Sequence, residues 1–286
     1  MINYSGFKKS VKLAATAVAL VIGGVMGVAV PASAGNIFLT GHDNDFHRSS
    51  AQANAQMAGA LALVRNGSTL PVLTFDAGSQ LTSQLTSLGV AFFNVNPTAA
   101  NLAGAPGAAL FNPLLYSAFA VASVTTCGGC DNPVGTGSII ATQSAAIASF
   151  FNAGRGVLGL AGATDLDAYA YVPTAATNAG GSPPSTGYVQ TAAGLALGIT
   201  AVNGNATHNF FSEPGTGGLS ALFQVVERLG NAVSGTPESV ALVGGTIVCT
   251  GLDCVITGGP VPEPGSLALL GLAVAALAVS RRRRPT

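Results

Sequence analysis

Two of the three histidines in the sequence, His42 and His47, bracket a short polar run, Gly41-His42-Asp43-Asn44-Asp45-Phe46-His47. Imidazoles beside carboxylates form a donor set suited to zinc, manganese or iron. The Asp and Asn oxygens alone suit calcium, but the run lacks the full calcium-loop pattern and its terminal glutamate. The same residues also suit a plain turn. Asp43, Asn44 and Asp45 can bond nearby backbone amides and cap a following helix, leaving His42 and His47 structural or exposed. Both readings stand. The third histidine, His208, lies in another polar stretch with Glu213. If folding brings the two stretches together, His42, Asp43, Asp45, His47 and His208 make one site for a divalent metal or a set of sugar hydroxyls.

The four cysteines fall in two close pairs, Cys127-Gly128-Gly129-Cys130 and Cys249 with Cys254. A four-cysteine zinc site and a redox motif both fit such spacing in a reducing compartment. In an exported chain, the expectation is two local disulfides, Cys127 to Cys130 and Cys249 to Cys254.

These residues sit on a regular alternation. Asn36–Thr40, Val72–Phe75, Val90–Phe93, Ala118–Val124 and Gly156–Leu160 read as strands. Between them, Ser50–Asn66, Gln80–Leu88 and Ile140–Asn152 carry apolar residues at helical spacing, with Asn66-Gly67, Gly89 and Gly154 as stops. Residues 96–113 read as a loop. Alternation at this spacing predicts an α/β fold: one three-layer domain over residues 35–258 with a mostly parallel sheet, flavodoxin-like or amidotransferase-like. The polar run then falls at the carboxyl end of the first strand, the ligand-binding edge of such sheets. Asp76, Asn94, Asn96, Asp165 and Asp167 fall after other strands. Further on, Gly218–Leu229 reads as a helix, and Ser239–Cys249 as a hairpin turning at Gly244-Gly245.

The two ends differ from the body. Lys8, Lys9 and Lys12 precede an apolar run from Leu13 to Val30, and Pro31-Ala32-Ser33-Ala34 gives a small-residue cleavage site. Residues 1–34 thus read as a secretory signal, implying Sec-type export and a signal peptidase. At the other end, Pro262-Glu263-Pro264 precedes an apolar stretch from Ser266 to Val279 and the cluster Arg281, Arg282, Arg283 and Arg284. The stretch is shorter than the ~20 residues of a comfortable span, and the arginines would stay on the cytoplasmic side. This predicts a short transmembrane helix acting as a temporary anchor. Between the ends, ten acids face only four arginines, and lysine is absent. An acidic body cannot neutralise phosphates, so nucleic acid is excluded as a partner.

Pro262-Glu263-Pro264, the hydrophobic stretch and the arginine cluster resemble the PEP-CTERM sorting signal over residues 259–286. The resemblance implies recognition by a membrane exosortase at the Pro-Glu-Pro site, then cleavage and transfer, in bacteria of which many make exopolysaccharide. The body, around Ile147–Asp165, resembles the glutamine-amidotransferase-like fold and its trehalose-utilisation-protein-like branch. That resemblance implies a nucleophile on the turn after a central strand. The matching turn, Ala161-Gly162-Ala163-Thr164, carries neither cysteine nor serine. The expectation is therefore an exported envelope or matrix protein without enzymatic activity. The alternative is a metal-dependent hydrolase or a carbohydrate-binding domain built on the strand-end histidines and aspartates.

Overall fold

The computed structural model describes residues 34–173, 184–204, 207–250 and 253–258. The expected signal segment lies outside these residues except for Ala34, as does the whole expected tail with its transmembrane helix and arginines. Among the described residues, no helix is long and apolar enough to cross a membrane.

The chain runs β1 (Gly35–Thr40), α1 (Ala51–Arg65), β2 (Val72–Phe75), α2 (Gln80–Ser87), β3 (Phe92–Val95), α3 (Gly104–Leu110) and β4 (Ala118–Val121). It continues through α4 (Thr136–Ala141), α5 (Ser144–Asn152), β5 (Gly156–Gly159), β6 (Tyr188–Gln190), α6 (Ala192–Leu197), β7 (Gln224–Leu229), β8 (Thr236–Thr250) and β9 (Asp253–Gly258). The nine strands among the described residues join one sheet in the order β3-β2-β4-β5-β1-β8-β7-β6, with β9 paired to β8. The five strands from β3 to β1 are parallel, as the alternation predicts. The rest is antiparallel.

Side-chain alternation builds the three layers. Ile37 and Leu39 of β1, Leu73 and Phe75 of β2, and Phe119 of β4 face one core with Ile147, Phe150 and Phe151 of α5. Phe38, Val72, Ala118 and Ala120 face the other, against Met57, Leu61 and Val64 of α1 and Leu81 and Leu85 of α2. Strands β1, β2 and β4 therefore bury both faces, as parallel strands under helices must, while β3 at the sheet edge stays partly exposed. The first helix starts where its composition says: the Ser50 side chain accepts a hydrogen bond from the Ala53 amide, and Asn66 closes the helix in the left-handed conformation.

Several local expectations are corrected. The expected helix over residues 218–229 is absent, and Gln224–Leu229 forms β7. Its apolar residues at helical spacing also suit alternation: Val225 enters one core and Val226 the other. The predicted Gly244-Gly245 turn does not exist. The chain runs straight through it as β8, and the hairpin to β9 closes beyond Thr250. Gly244 instead sits at a bulge, with φ +75° where the β1 register skips from Val243 to Gly245. The single helix expected over 140–152 is two, α4 and α5, and the 96–113 loop contains α3. Strand β3 starts two residues later than predicted, at Phe92.

Candidate functional site

The carboxyl ends of β1, β2, β4 and β5 share one edge, and the Gly41–His47 loop leaves it from β1. A loop returning before β7 meets it there. His208 N donates to Gly41 O at 2.8 Å, and His42 pairs with Thr207 as an isolated bridge. The polar run thus divides three ways.

The first group gathers on Asp43, which is fully buried. Its Oδ2 lies 3.1 Å from Nε2 of His208 and 3.4 Å from Nε2 of His47. Its Oδ1 has no hydrogen-bond partner. Cys130 Sγ lies 3.7 Å from the same Oδ2. Asp43, His208 and Cys127 bring potential ligand atoms within 4.8 Å of one another. Cys127 is bonded to Cys130, and Cys249 to Cys254, so neither pair offers free thiolates in this state.

The second group turns away from the first. His42 is fully buried, its Nε2 3.2 Å from Glu227 Oε1 and 3.8 Å from Glu238 Oε1, its Nδ1 2.8 Å from the Thr207 hydroxyl. Glu227 also accepts bonds from the Val202 amide, Gln56 Nε2 and the Ser239 hydroxyl. Glu238 has neither oxygen hydrogen-bonded. Burial, reinforced by the Glu227 charge, pushes the Glu238 carboxyl well above the usual range. Asp45 faces a third way: its carboxylate accepts from the backbone and hydroxyl of Ser123, after β4, and burial pushes its pKa up to about 6. So His47 and His208 meet at Asp43, while His42 and Asp45 belong to other contacts.

The other strand-end polar residues serve the backbone. Asp76 and Asp131 accept the first amides of α2, and Asp165 accepts the Gly135 amide before α4. Glu213, the sequence neighbour of His208, pairs with Arg228 instead. At the turn after β5, Ala163 holds a left-handed φ of +50°. The Gly162 and Ala163 amides both donate to Asn209 Oδ1. This conformation is rare for alanine and marks a sharp turn with no nucleophile on it.

Sequence reasoning missed Glu227, Glu238, Gln56, Asn132 and Asn209. Asn132 holds the switch point between β2 and β4, donating to Phe75 O and Ala122 O and accepting from the Ala77 amide. The two glutamates carried little signal: Glu227 stands between Val226 and Arg228 in β7, and Glu238 between Pro237 and Ser239 in β8, so neither interrupts a purely apolar run.

Residues 260–284 match the PEP-CTERM protein-sorting motif. The match supports an exported protein recognised and sorted by an exosortase. No curated protein and no solved structure matches the chain.

Proposed function

We propose that the chain leaves the cytoplasm by Sec-type export, that a signal peptidase removes residues 1–34, and that residues 259–286 hold it briefly in the inner membrane with the body outside. An exosortase then cuts at Pro262-Glu263-Pro264 and delivers the body to the cell surface or extracellular matrix. The observation that carries this reading is the sorting motif over residues 260–284. The acidic, lysine-free body suits an envelope or matrix protein with exopolysaccharide as its neighbour. The β5 turn supports a body that performs no nucleophilic hydrolysis, because Ala163 occupies it. Intact-mass measurement on protein from the native host tests the proposal. The expected species begins near Gly35 and lacks Arg281–Arg284; a surface form that retains those arginines refutes it.

A second reading rests on the meeting of His47 and His208 at Asp43. One carboxylate with an open oxygen and two imidazoles suits a divalent metal or a sugar hydroxyl network. Hydrolysis there would need metal-activated water, since the neighbouring Cys127 is held in the disulfide with Cys130. Metal analysis of the full chain tests its metal form: stoichiometric metal that is lost in His208→Ala supports a metal site, and metal-free protein after saturation with zinc or manganese refutes one.

A further inference from the structure

We propose that Cys127–Cys130 is an exchangeable disulfide that oxidises incoming thiols, with Asp43 and His208 supplying the proton to the leaving sulfur. This goes beyond sorting and does not depend on metal at the same cluster.

The two sulfurs are unequal. Cys127 is half-buried, in a turn whose neighbours Thr125, Thr126 and Gly128 are exposed, while Cys130 is buried. A thiolate arriving from solvent therefore meets Cys127 first. The turn depends on its glycines. Gly128 holds φ +92°, and a Cβ on Gly129 would lie 2.4 Å from the ring of Phe46. The CxxC turn thus rests directly on the loop that carries Asp43.

Behind the buried sulfur stands a buried carboxylate. Asp43 Oδ2 is 3.7 Å from Cys130 Sγ, and Asp43 Oδ1 has no hydrogen-bond partner. Burying such a group is costly unless it is paired, and here two imidazoles and this sulfur gather on the same Oδ2. From Asp43 the path leads outward: His208 Nε2 is 3.1 Å away, an ion-pair contact rather than a formed hydrogen bond, and its side chain is 18% exposed. His47 offers a second exit, 3.4 Å from Asp43 and 35% exposed. A half-exposed sulfur to be attacked, a buried sulfur to leave, and an acid–base relay to solvent are the parts that thiol–disulfide exchange needs. Cys249–Cys254 differs: it joins directly opposed residues of the β8–β9 hairpin.

In the exchange, a thiolate attacks Cys127 Sγ. A mixed disulfide forms, the Cys127–Cys130 bond breaks, and Cys130 leaves as a thiolate. Cys130 takes a proton passed from His208 through Asp43. A second thiolate attacks the sulfur of the first thiol, and Cys127 leaves and is protonated in turn. Two thiols become one disulfide, the protein disulfide becomes two thiols, and the two protons lost by the incoming thiols end on Cys127 and Cys130. The thiol can come from a small molecule or from a cysteine-bearing polypeptide, and the test separates the two.

The full oxidised chain is treated with reduced glutathione in one arm and with a reduced two-cysteine peptide in the other. A chelator is present throughout, and the reactions are acid-quenched and peptide-mapped. Cys127–Cys130 should open about tenfold or more faster than Cys249–Cys254 in at least one arm, with the trapped adduct on Cys127. The faster arm identifies the source. Asp43→Asn should slow opening about tenfold, and His208→Gln, nearer the surface, about threefold. Equal opening of the two disulfides in both arms, or an adduct on Cys130, overturns the proposal. So does an unchanged rate in either variant that keeps its fold. Failure here leaves exosortase sorting untouched, since that reading is judged by the mass of the processed chain.

Discussion

Nε2 of His42 lies 3.2 Å from Oε1 of Glu227, and both side chains are fully buried. The contact ties the carboxyl end of β1 to β7, across the intervening β8, which contributes Glu238 and Ser239. It is the centre of a buried polar network rather than part of an exposed ligand site. Gln56 of α1 joins the same network: its Nε2 donates to Glu227 Oε2, and its Oε1 accepts from Asn44 Nδ2 at 2.7 Å.

Removing the imidazole should therefore cost stability. His42→Ala strips Glu227 of one partner and removes the imidazole that stands 3.8 Å from Glu238 Oε1, and a loss of about 2–4 kcal/mol is expected from urea unfolding of the full chain. His47→Ala, at a site 35% exposed, should cost less than about 1 kcal/mol. Equal effects would show that the His42 network is not held as its geometry implies.

Glu238 gives the stability a pH dependence with a definite sign. Its pKa is raised in the folded chain by burial and by Glu227, so the folded state holds the proton more tightly than the unfolded state. That contribution is complete below the ordinary value of 4.5 and is lost as pH rises towards the folded pKa. Glu238→Gln carries no such proton. Thermal midpoints from about pH 4 to about pH 9 should show the variant gaining on the parent as pH rises. Parallel curves would contradict the assignment. Asp45 acts in the same direction in both proteins, its contribution being lost between 3.8 and about 6.

Asn132 should be intolerant even of small changes. Asn132→Ala abandons two carbonyls and one amide at the β2–β4 switch point, for an expected loss of about 2–4 kcal/mol. Asn132→Asp keeps the acceptor for Ala77 but sets a carboxylate against Phe75 O and Ala122 O, and should be no better. Denaturant midpoints of both variants check this.

Gly244 allows a test free of packing effects. Its φ is +75°, and a Cβ there would meet nothing within 4 Å. Gly244→Ala should lose about 1 kcal/mol through the backbone alone, measured as a shift in thermal midpoint. No loss would mean that the bulge can move along β8.

Much was legible in the residues themselves. The alternation of Val72–Phe75, Ala118–Val121 and Gly156–Gly159 with amphipathic helices determined an α/β fold with a parallel half, because local periodicity decides which faces must be buried. Ser50 and Asn66 marked the ends of α1 by cap chemistry, which acts over a few residues. Close cysteine spacing determined the two pairings, and Pro262-Glu263-Pro264 with its arginines determined the sorting motif. Only the tertiary structure decided what was not local. Residues 224–229 suit a helix or a strand by pattern, and pairing with β8 made them β7. Gly244-Gly245 suits a turn, but pairing with β1 on one side and β9 beyond it kept the chain extended. Above all, the run from His42 to His47 gave no sign of which residue would face which neighbour. Successive side chains leaving a strand point in different directions, so His42 met Glu227, Asp43 met His208 and Asp45 met Ser123. Those partners come from β7, the 207–211 loop and the end of β4, and their arrival at one edge was set by the order in which the strands pair.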